Sequence, residues 1–192
     1  MSLDRLLVEI RACQICAEHL PLGPRPVLQA HEDATILIVG QAPGTRVHAS
    51  GVPFQDPSGV RLRNWMGIDE TLFYDLHRIA IVPMGFCFPG AGKSGDNPPR
   101  PECAPAWREA VMEKLVNIRL TLVLGRYAMD YHLDAKSQSV TDVVTAWRDY
   151  WPTKLPLPHP SPRNMSWFKK NSWFETDALP LLRKRVKELV RL

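Results

Sequence analysis

TILIVG, residues 35–40, is a short apolar run, rich in β-branched residues and stopped by a glycine. RIAIVP at 78–83 and LTLVLG at 120–125 repeat its character. A strand with one wet face alternates polar and apolar side chains, whereas unbroken runs like these mark strands buried on both faces, as in a parallel sheet covered by helices. TKLPLP at 153–158 supplies a fourth strand, assigned to an edge because proline cannot donate to a ladder. Helical patterns lie between the strands. Leu3, Leu6, Leu7 and Ile10 share one face of a helix over 2–12, and further helices are expected over 58–67, 104–117, 126–133, 140–150 and 176–191. Strands alternating with helices predict an α/β fold with right-handed crossovers, in which ligands sit beyond the carboxyl ends of the strands. The loops after Val39, Val82, Leu124 and Pro156 are therefore where chemistry is expected.

Composition narrows the class. With 192 residues, 45% apolar and 23% charged, the chain suits one well-cored domain spanning 1–192. A net charge of +4 favours polyanionic partners without requiring one. The opening MSLDRLLVEIRAC sets Asp4 and Glu9 among its leucines, which excludes a signal peptide or a transmembrane helix. A cytoplasmic monomer with no membrane partner is expected. RKRVKELVRL at 183–192 is basic, but its leucines and valines recur at helical spacing, so it reads as a solvated helix face rather than a phosphate-binding patch.

The four cysteines, Cys13, Cys16, Cys87 and Cys103, do not predict disulfides in a reducing compartment. One close pair and one distant pair leave metal ligation, redox chemistry or chance. A tetrahedral zinc or a four-iron cluster requires all four sulfurs to converge, which needs residues 10–20 to pack against 87–103. Failing that, they are buried structural residues.

Three loops stand out. GQAPGTRVHASGVPFQDPSG, residues 40–59, runs from a buried strand to a helix start. Gly40 and Gly44 permit a tight turn and close approach to a ligand, while Ser58 and Gly59 sit where a helix N-terminus offers free N–H groups to an anion. It matches neither the Walker loop nor the dinucleotide fingerprint. MGFCFPGAGKSGDNPPRPEC, residues 84–103, contains both distal cysteines, and loops of this length are usually functional or tied down. Its GAGKS follows no strand directly and lacks the first glycine of a Walker loop. In LPLPHPSPRN, residues 155–164, prolines alternate from Pro156 to Pro162 and His159 sits among them. Each proline fixes its φ at about −65° and biases its predecessor toward extended backbone, so the segment is a stiff ribbon that aims an imidazole.

In combination these loops resemble the uracil-DNA glycosylase superfamily, and within it the branch whose four cysteines hold a four-iron, four-sulfur cluster. Gly40, Gln41, Pro43 and Gly44, followed by Pro53, Phe54 and Gly59, match the first motif; His159, Pro160 and Ser161 match the last; the cysteines fall in the order of the cluster ligands. The resemblance implies a three-layer α/β/α fold around a short, mainly parallel sheet of about four strands. It also implies DNA repair: a damaged, deaminated base is flipped out of DNA and its N-glycosidic bond is hydrolysed. On that resemblance Phe54 stacks on the base, Gly40, Gln41 and Ala42 line its pocket, and His159 donates to the base oxygen on which negative charge develops. Ser58 and Ser161 meet phosphates, Arg163 stands where relatives insert a wedge, and Asn164, Lys169 and Lys170 join the DNA contact. Cys13, Cys16, Cys87 and Cys103 hold a 4Fe-4S cluster, with zinc or no metal as the alternatives, and Arg100 nearby serves a phosphate.

The sequence also departs from the family pattern. Ala42 replaces an Asp that positions water in rapid relatives; Asp56 is the expected substitute, with Gln41 beside the vacated position and His48 as the runner-up base. Pro83 stands where the uracil-reading Asn ends the second strand, and proline has neither a side-chain amide nor an N–H. Uracil is then one candidate base among related ones, and Asn64, Asn97 and Asn164 are the amides within reach of the role. WFKKNSWFE at 167–175 reads either as DNA contact through Lys169 and Lys170 or as Trp167, Phe168, Trp173 and Phe174 packing the last helices on the core. A competing function is a non-catalytic nucleic-acid or nucleotide-binding module on the same fold.

Overall fold

The computed structural model describes residues 1–93 and 95–191. Among them the strands are β1 (Ile36–Val39), β2 (Ile79–Ile81), the two-residue pair β3 (Ala91–Gly92) and β4 (Gly95–Asp96), β5 (Leu120–Leu124) and β6 (Lys154–Leu157). The helices are α1 (Leu3–Arg11), α2 (Thr45–Ser50), α3 (Pro57–Met66), α4 (Glu70–Phe73), α5 (Cys103–Met112), α6 (Arg126–His132), α7 (Val140–Thr145), α8 (Met165–Lys170) and α9 (Leu179–Leu189). The main sheet has the order β2-β1-β5-β6 and every pairing in it is parallel. β1 and β5 are buried at every residue, as their unbroken apolar runs require. β6 lies at the edge, with Pro156 opposite Val123.

Helices cover both faces and complete a three-layer α/β/α fold. α1 packs on α5, α3 on α9, and α6 and α7 lie along β5 and β6. Leu3, Leu6, Leu7 and Ile10 are all buried, so α1 presents the face that its spacing predicts. No helix among the described residues is long and apolar enough to cross a membrane.

The differences from expectation are local. The helix expected over 140–150 stops at Thr145, and a 3₁₀ turn, Trp147–Asp149, follows, turning the Trp147 side chain fully into the core. The C-terminal helix begins with a π-helical turn, Phe174–Ala178, before α9. Residues 40–59 contain the short α2, and residues 84–103 fold back as the β3–β4 hairpin. Trp65, Trp167, Phe168, Trp173 and Phe174 interlock edge to face, with centroids between 5.1 and 6.3 Å for Trp65–Phe168, Trp65–Phe174 and Trp167–Trp173. The aromatic part of 167–175 is thus packing, and Lys169 and Lys170 remain exposed at the end of α8.

Candidate active site and cysteine pocket

At the carboxyl ends of the strands a cavity of about 610 Å³ opens to solvent. The loop after β1 contributes Gly40, Gln41, Ala42, Phe54, Asp56 and Ser58 to its lining. Pro83 comes from the end of β2, and the proline ribbon contributes His159, Ser161, Arg163 and Asn164. Phe54 and His159, 105 positions apart in sequence, therefore share one hollow.

Phe54 is held in an unusual backbone state. Its φ is +55°, a left-handed conformation that a bulky residue adopts only at a cost of about 1–2 kcal/mol. That turn lays its carbonyl over the start of α3, where a Cβ on Gly59 would stand 1.8 Å from Phe54 O, so only glycine fits. The ring rests over the end of β1, with a Cβ on Gly40 falling 3.8 Å from Phe54 Cζ. Phe73 meets the ring edge to face at 6.1 Å, and the Tyr74 hydroxyl donates to Pro53 O at 2.9 Å.

His159 is fixed in tautomer as well as in position. The Ser161 backbone N–H donates to His159 Nδ1 at 3.2 Å, so the proton of the neutral ring is on Nε2. Burial holds the imidazole below its usual range, against the pull of Asp56 and Asp96. The ribbon is braced from both sides: Asn164 Nδ2 donates to His159 O at 2.8 Å, and Arg61 Nη1 donates to Pro160 O and Ser161 O, each at 3.1 Å. Arg61 stacks on Phe168 at 5.1 Å. Nothing in the sequence marks Arg61 for this task, because its partners lie about a hundred residues away.

The other candidates are placed as follows. Asp56 is the N-cap of α3, and its Oδ1 accepts the Gly59 N–H at 2.9 Å. Gln41 Nε2 donates to Asn97 O at 2.9 Å, tying the first loop to the second. Ser58 is buried, and Ser161 Oγ accepts the Arg163 N–H at 3.2 Å. His48 lies on α2 outside the cavity lining, its ring 6.2 Å from Phe88. Lys169 and Lys170 are also outside the lining. Of the three amides, only Asn164 lines the cavity, and its Nδ2 is engaged by the ribbon. Two charged lining residues were not legible in sequence. Asp96 arrives on β4, with its Oδ2 at 3.2 Å from where a Gly44 Cβ would be, and Arg46 lies on α2 at the rim. Across the mouth, Arg163 Nη1 stands 2.8 Å from the Cβ position of Gly95, so this arginine spans from ribbon to hairpin.

Behind Pro83, Arg108 is wholly buried and donates to Val82 O at 3.2 Å and Pro83 O at 2.8 Å. Its guanidinium also meets His132 Nε2, and burial together with this cation holds His132 down to about 3. Arg108 satisfies the carbonyls at the end of β2 from behind, and so stiffens the cavity wall on which Pro83 sits.

A second pocket is lined by Cys13, Cys16, Cys87 and Cys103 together. The convergence that spacing only permitted is thus made by α1 packing on α5. Trp107 Nε1–H donates to Cys13 Sγ and the Phe86 N–H to Cys103 Sγ, each at 3.3 Å. Burial, with the neighbouring thiols adding to it, pushes Cys87 up to about 12 and Cys103 up to about 11. Thiols so disposed bind as thiolates only where a cation offsets the charge. No three of these sulfurs lie within 4.8 Å of one another, whereas sulfurs around zinc at about 2.3 Å stand about 3.8 Å apart. Arg100 forks onto Glu102 at 2.6 and 3.1 Å instead of standing free.

A parallel sheet with its cavity at the strand ends, a glycine-turn loop carrying an aromatic ring and an imidazole on a rigid ribbon together define an α/β fold with a candidate site at the carboxyl edge of its sheet. The family model of the uracil DNA glycosylase superfamily matches residues 28–183, and the chain belongs to that superfamily. Membership makes a DNA-acting glycosylase hydrolase its general class. The matched span begins beyond Cys13 and Cys16.

Proposed function

We propose that the protein is a base-excision glycosylase that receives a flipped-out deaminated base, uracil or a related base, and hydrolyses its bond to the sugar. The observation that carries this is the single cavity shared by Phe54 and His159, with the His159 tautomer fixed by the Ser161 N–H. An everted base stacks on Phe54. As the C1′–N bond lengthens, its electron pair passes to the base, and the developing anion meets the Nε2–H of a neutral imidazole already in position. Preorganised donors of this kind contribute about 3 kcal/mol to a barrier. Water then adds to C1′ and leaves an abasic sugar and the free base. Asp56 keeps Oδ2 for that water while Oδ1 caps α3, and Asp96 is a second carboxylate facing His159. Arg46, Arg163, Lys169 and Lys170 are the cations for phosphates.

The cysteine set suits a 4Fe-4S cluster better than zinc: no three sulfurs lie within 4.8 Å of one another, Cys16 is buried and the other three half-buried, and two accept N–H donors, as cluster thiolates do. Cys13, Cys16, Cys87 and Cys103 would hold it, and when bound it supplies a covalent tie between α1, the second loop and α5. The base removed is left open by Ala42 and Pro83, which also favour a second reading, a binding module without catalysis. Oligonucleotides carrying uracil, hypoxanthine, xanthine or an oxidised base separate the two. Alkali-labile sites with any of them, lost in His159→Ala, are the expected result; DNA binding with no product on the whole panel overturns the glycosylase in favour of the module.

A further inference from the structure

At the opposite end of the sheet from the cavity, three ligand side chains converge. His31 and Asp33 lie in the turn that enters β1, and His77 in the turn that enters β2. The two turns are already joined, since the Thr35 and Ile36 N–H groups both donate to Arg78 O at 3.1 Å. Asp33 Oδ2 stands 3.1 Å from His77 Nδ1 and 3.4 Å from His31 Nδ1. The imidazole centroids are 3.9 Å apart with their planes at 53°. One ligand atom from each residue lies within 4.8 Å of the other two, and among the described residues no other such group of His, Cys, Asp and Glu occurs.

These distances have a chemical meaning. Around a tetrahedral ion with bonds of about 2.0–2.1 Å, neighbouring ligand atoms stand about 3.3–3.4 Å apart. Two edges of the triangle are therefore near metal-site lengths before any ion is present. Two imidazole nitrogens and one carboxylate oxygen form a borderline donor set, which suits zinc and its first-row neighbours and is poor for magnesium or calcium, which take oxygen. The side chains are a third to two-thirds exposed, so an ion enters directly from solvent and keeps water in its remaining position. Capture exchanges two contacts: the Asp33 N–H that His31 Nδ1 accepts at 3.2 Å and the 3.1 Å hydrogen bond between His77 Nδ1 and Asp33 Oδ2 give way to bonds to the ion.

We infer that His31, Asp33 and His77 form a divalent transition-metal site, with Zn²⁺ as its reference ion, that clips the entry turns of β1 and β2 together. The site is separate from the cysteine pocket and from the cavity. Its role is to hold the amino ends of the two strands in register, because a bond between the turns adds to the Arg78 hydrogen bonds already there.

The test is a Co²⁺ titration of the purified protein, read by visible absorption, followed by displacement with Zn²⁺. In difference spectra against the protein before ion addition, wild type is expected to show the d–d bands of a nitrogen and oxygen site, with any thiolate-to-cobalt charge transfer confined to the cysteine pocket and lost in Cys13→Ser, and Zn²⁺ should remove the d–d bands and raise the melting temperature. His77→Ala and His31→Ala remove exposed side chains, and circular dichroism checks that both variants fold. Each should weaken the ion by at least about tenfold, since even the outer partners of metal ligands are worth about 10- to 100-fold. In Cys13→Ser the Co²⁺ signal should persist. Equal binding in wild type and both histidine variants, charge transfer from sulfur as the sole signal, or no Co²⁺ uptake at all would each overturn the site.

Discussion

The cavity at the strand ends and the cysteine pocket are built by opposite means. The cavity is finished without a ligand: prolines and a backbone N–H aim His159, a left-handed turn and a glycine gap set Phe54, and Asp56 caps the helix between them. The cysteine pocket gathers three distant segments, and burial holds the Cys87 and Cys103 thiols in their neutral form, so binding there as thiolates requires a cation. On the proposed function, a site encoded in short local devices would be preorganised for charge that appears only in a transition state. One assembled from remote segments would act, with the proposed cluster bound, as a tie between them.

Replacing one residue on each side sharpens that contrast. His159→Ala should lower single-turnover excision by about 10²–10³-fold, beyond the roughly 1 kcal/mol of stability lost with the acceptor of the Ser161 N–H, because the Nε2–H acts only as charge develops. A drop of less than about tenfold would break the preorganised-donor half of the comparison. Gly59→Ala tests the backbone half. A Cβ placed 1.8 Å from Phe54 O must displace the turn or the start of α3, and urea unfolding should register a loss of about 3 kcal/mol. Cys103→Ser should have the reverse profile to His159→Ala. It should abolish visible iron–sulfur absorption and lower stability by about 2 kcal/mol, with excision by the surviving folded fraction within about threefold of wild type.

Acid should strain the cavity and the wall behind it. His132 and His159 are held below their usual range in the folded chain, whereas the unfolded chain protonates them at about pH 6.5. The unfolded state then binds more protons, so stability falls as pH drops from about 6.5 toward 3, by on the order of 1 kcal/mol per unit. Urea midpoints measured across that range should flatten in His132→Gln, whose amide still accepts from Arg108. The smallest effect belongs to Asp56. Asp56→Ala should cost about 1 kcal/mol through the lost cap, while Asp56→Asn keeps the cap and lowers only the hydrolytic rate. Equal rates in wild type and Asp56→Asn would move water positioning to Asp96.

Several parts of this molecule are legible in a single line of residues. TILIVG, RIAIVP and LTLVLG become the buried parallel strands, since unbroken apolar runs leave no wet face. Phe54, His159 and Ser161 reach one cavity because the topology sends the carboxyl end of every main-sheet strand to the same side. Arg61, Asp96 and Arg108 left no comparable trace. Each acts on a carbonyl, an imidazole or a cavity wall supplied by another part of the chain, from 25 residues away for Arg108 to 100 for Arg61, and no local pattern encodes such a partner. His48 shows the converse: it sits inside the right motif, yet α2 carries it away from the cavity lining.

The sequence by itself determined the alternation of buried strands and amphipathic helices, the stiffness of the proline ribbon and the family, because hydrophobic period, proline geometry and motif order are local properties of the chain. Only the tertiary structure decided which carboxylates face His159, that the four thiols share a pocket, and that two histidines and an aspartate meet at the far end of the sheet. Burial, charge proximity and ligand convergence depend on distances between segments, and those exist only once the layers have packed.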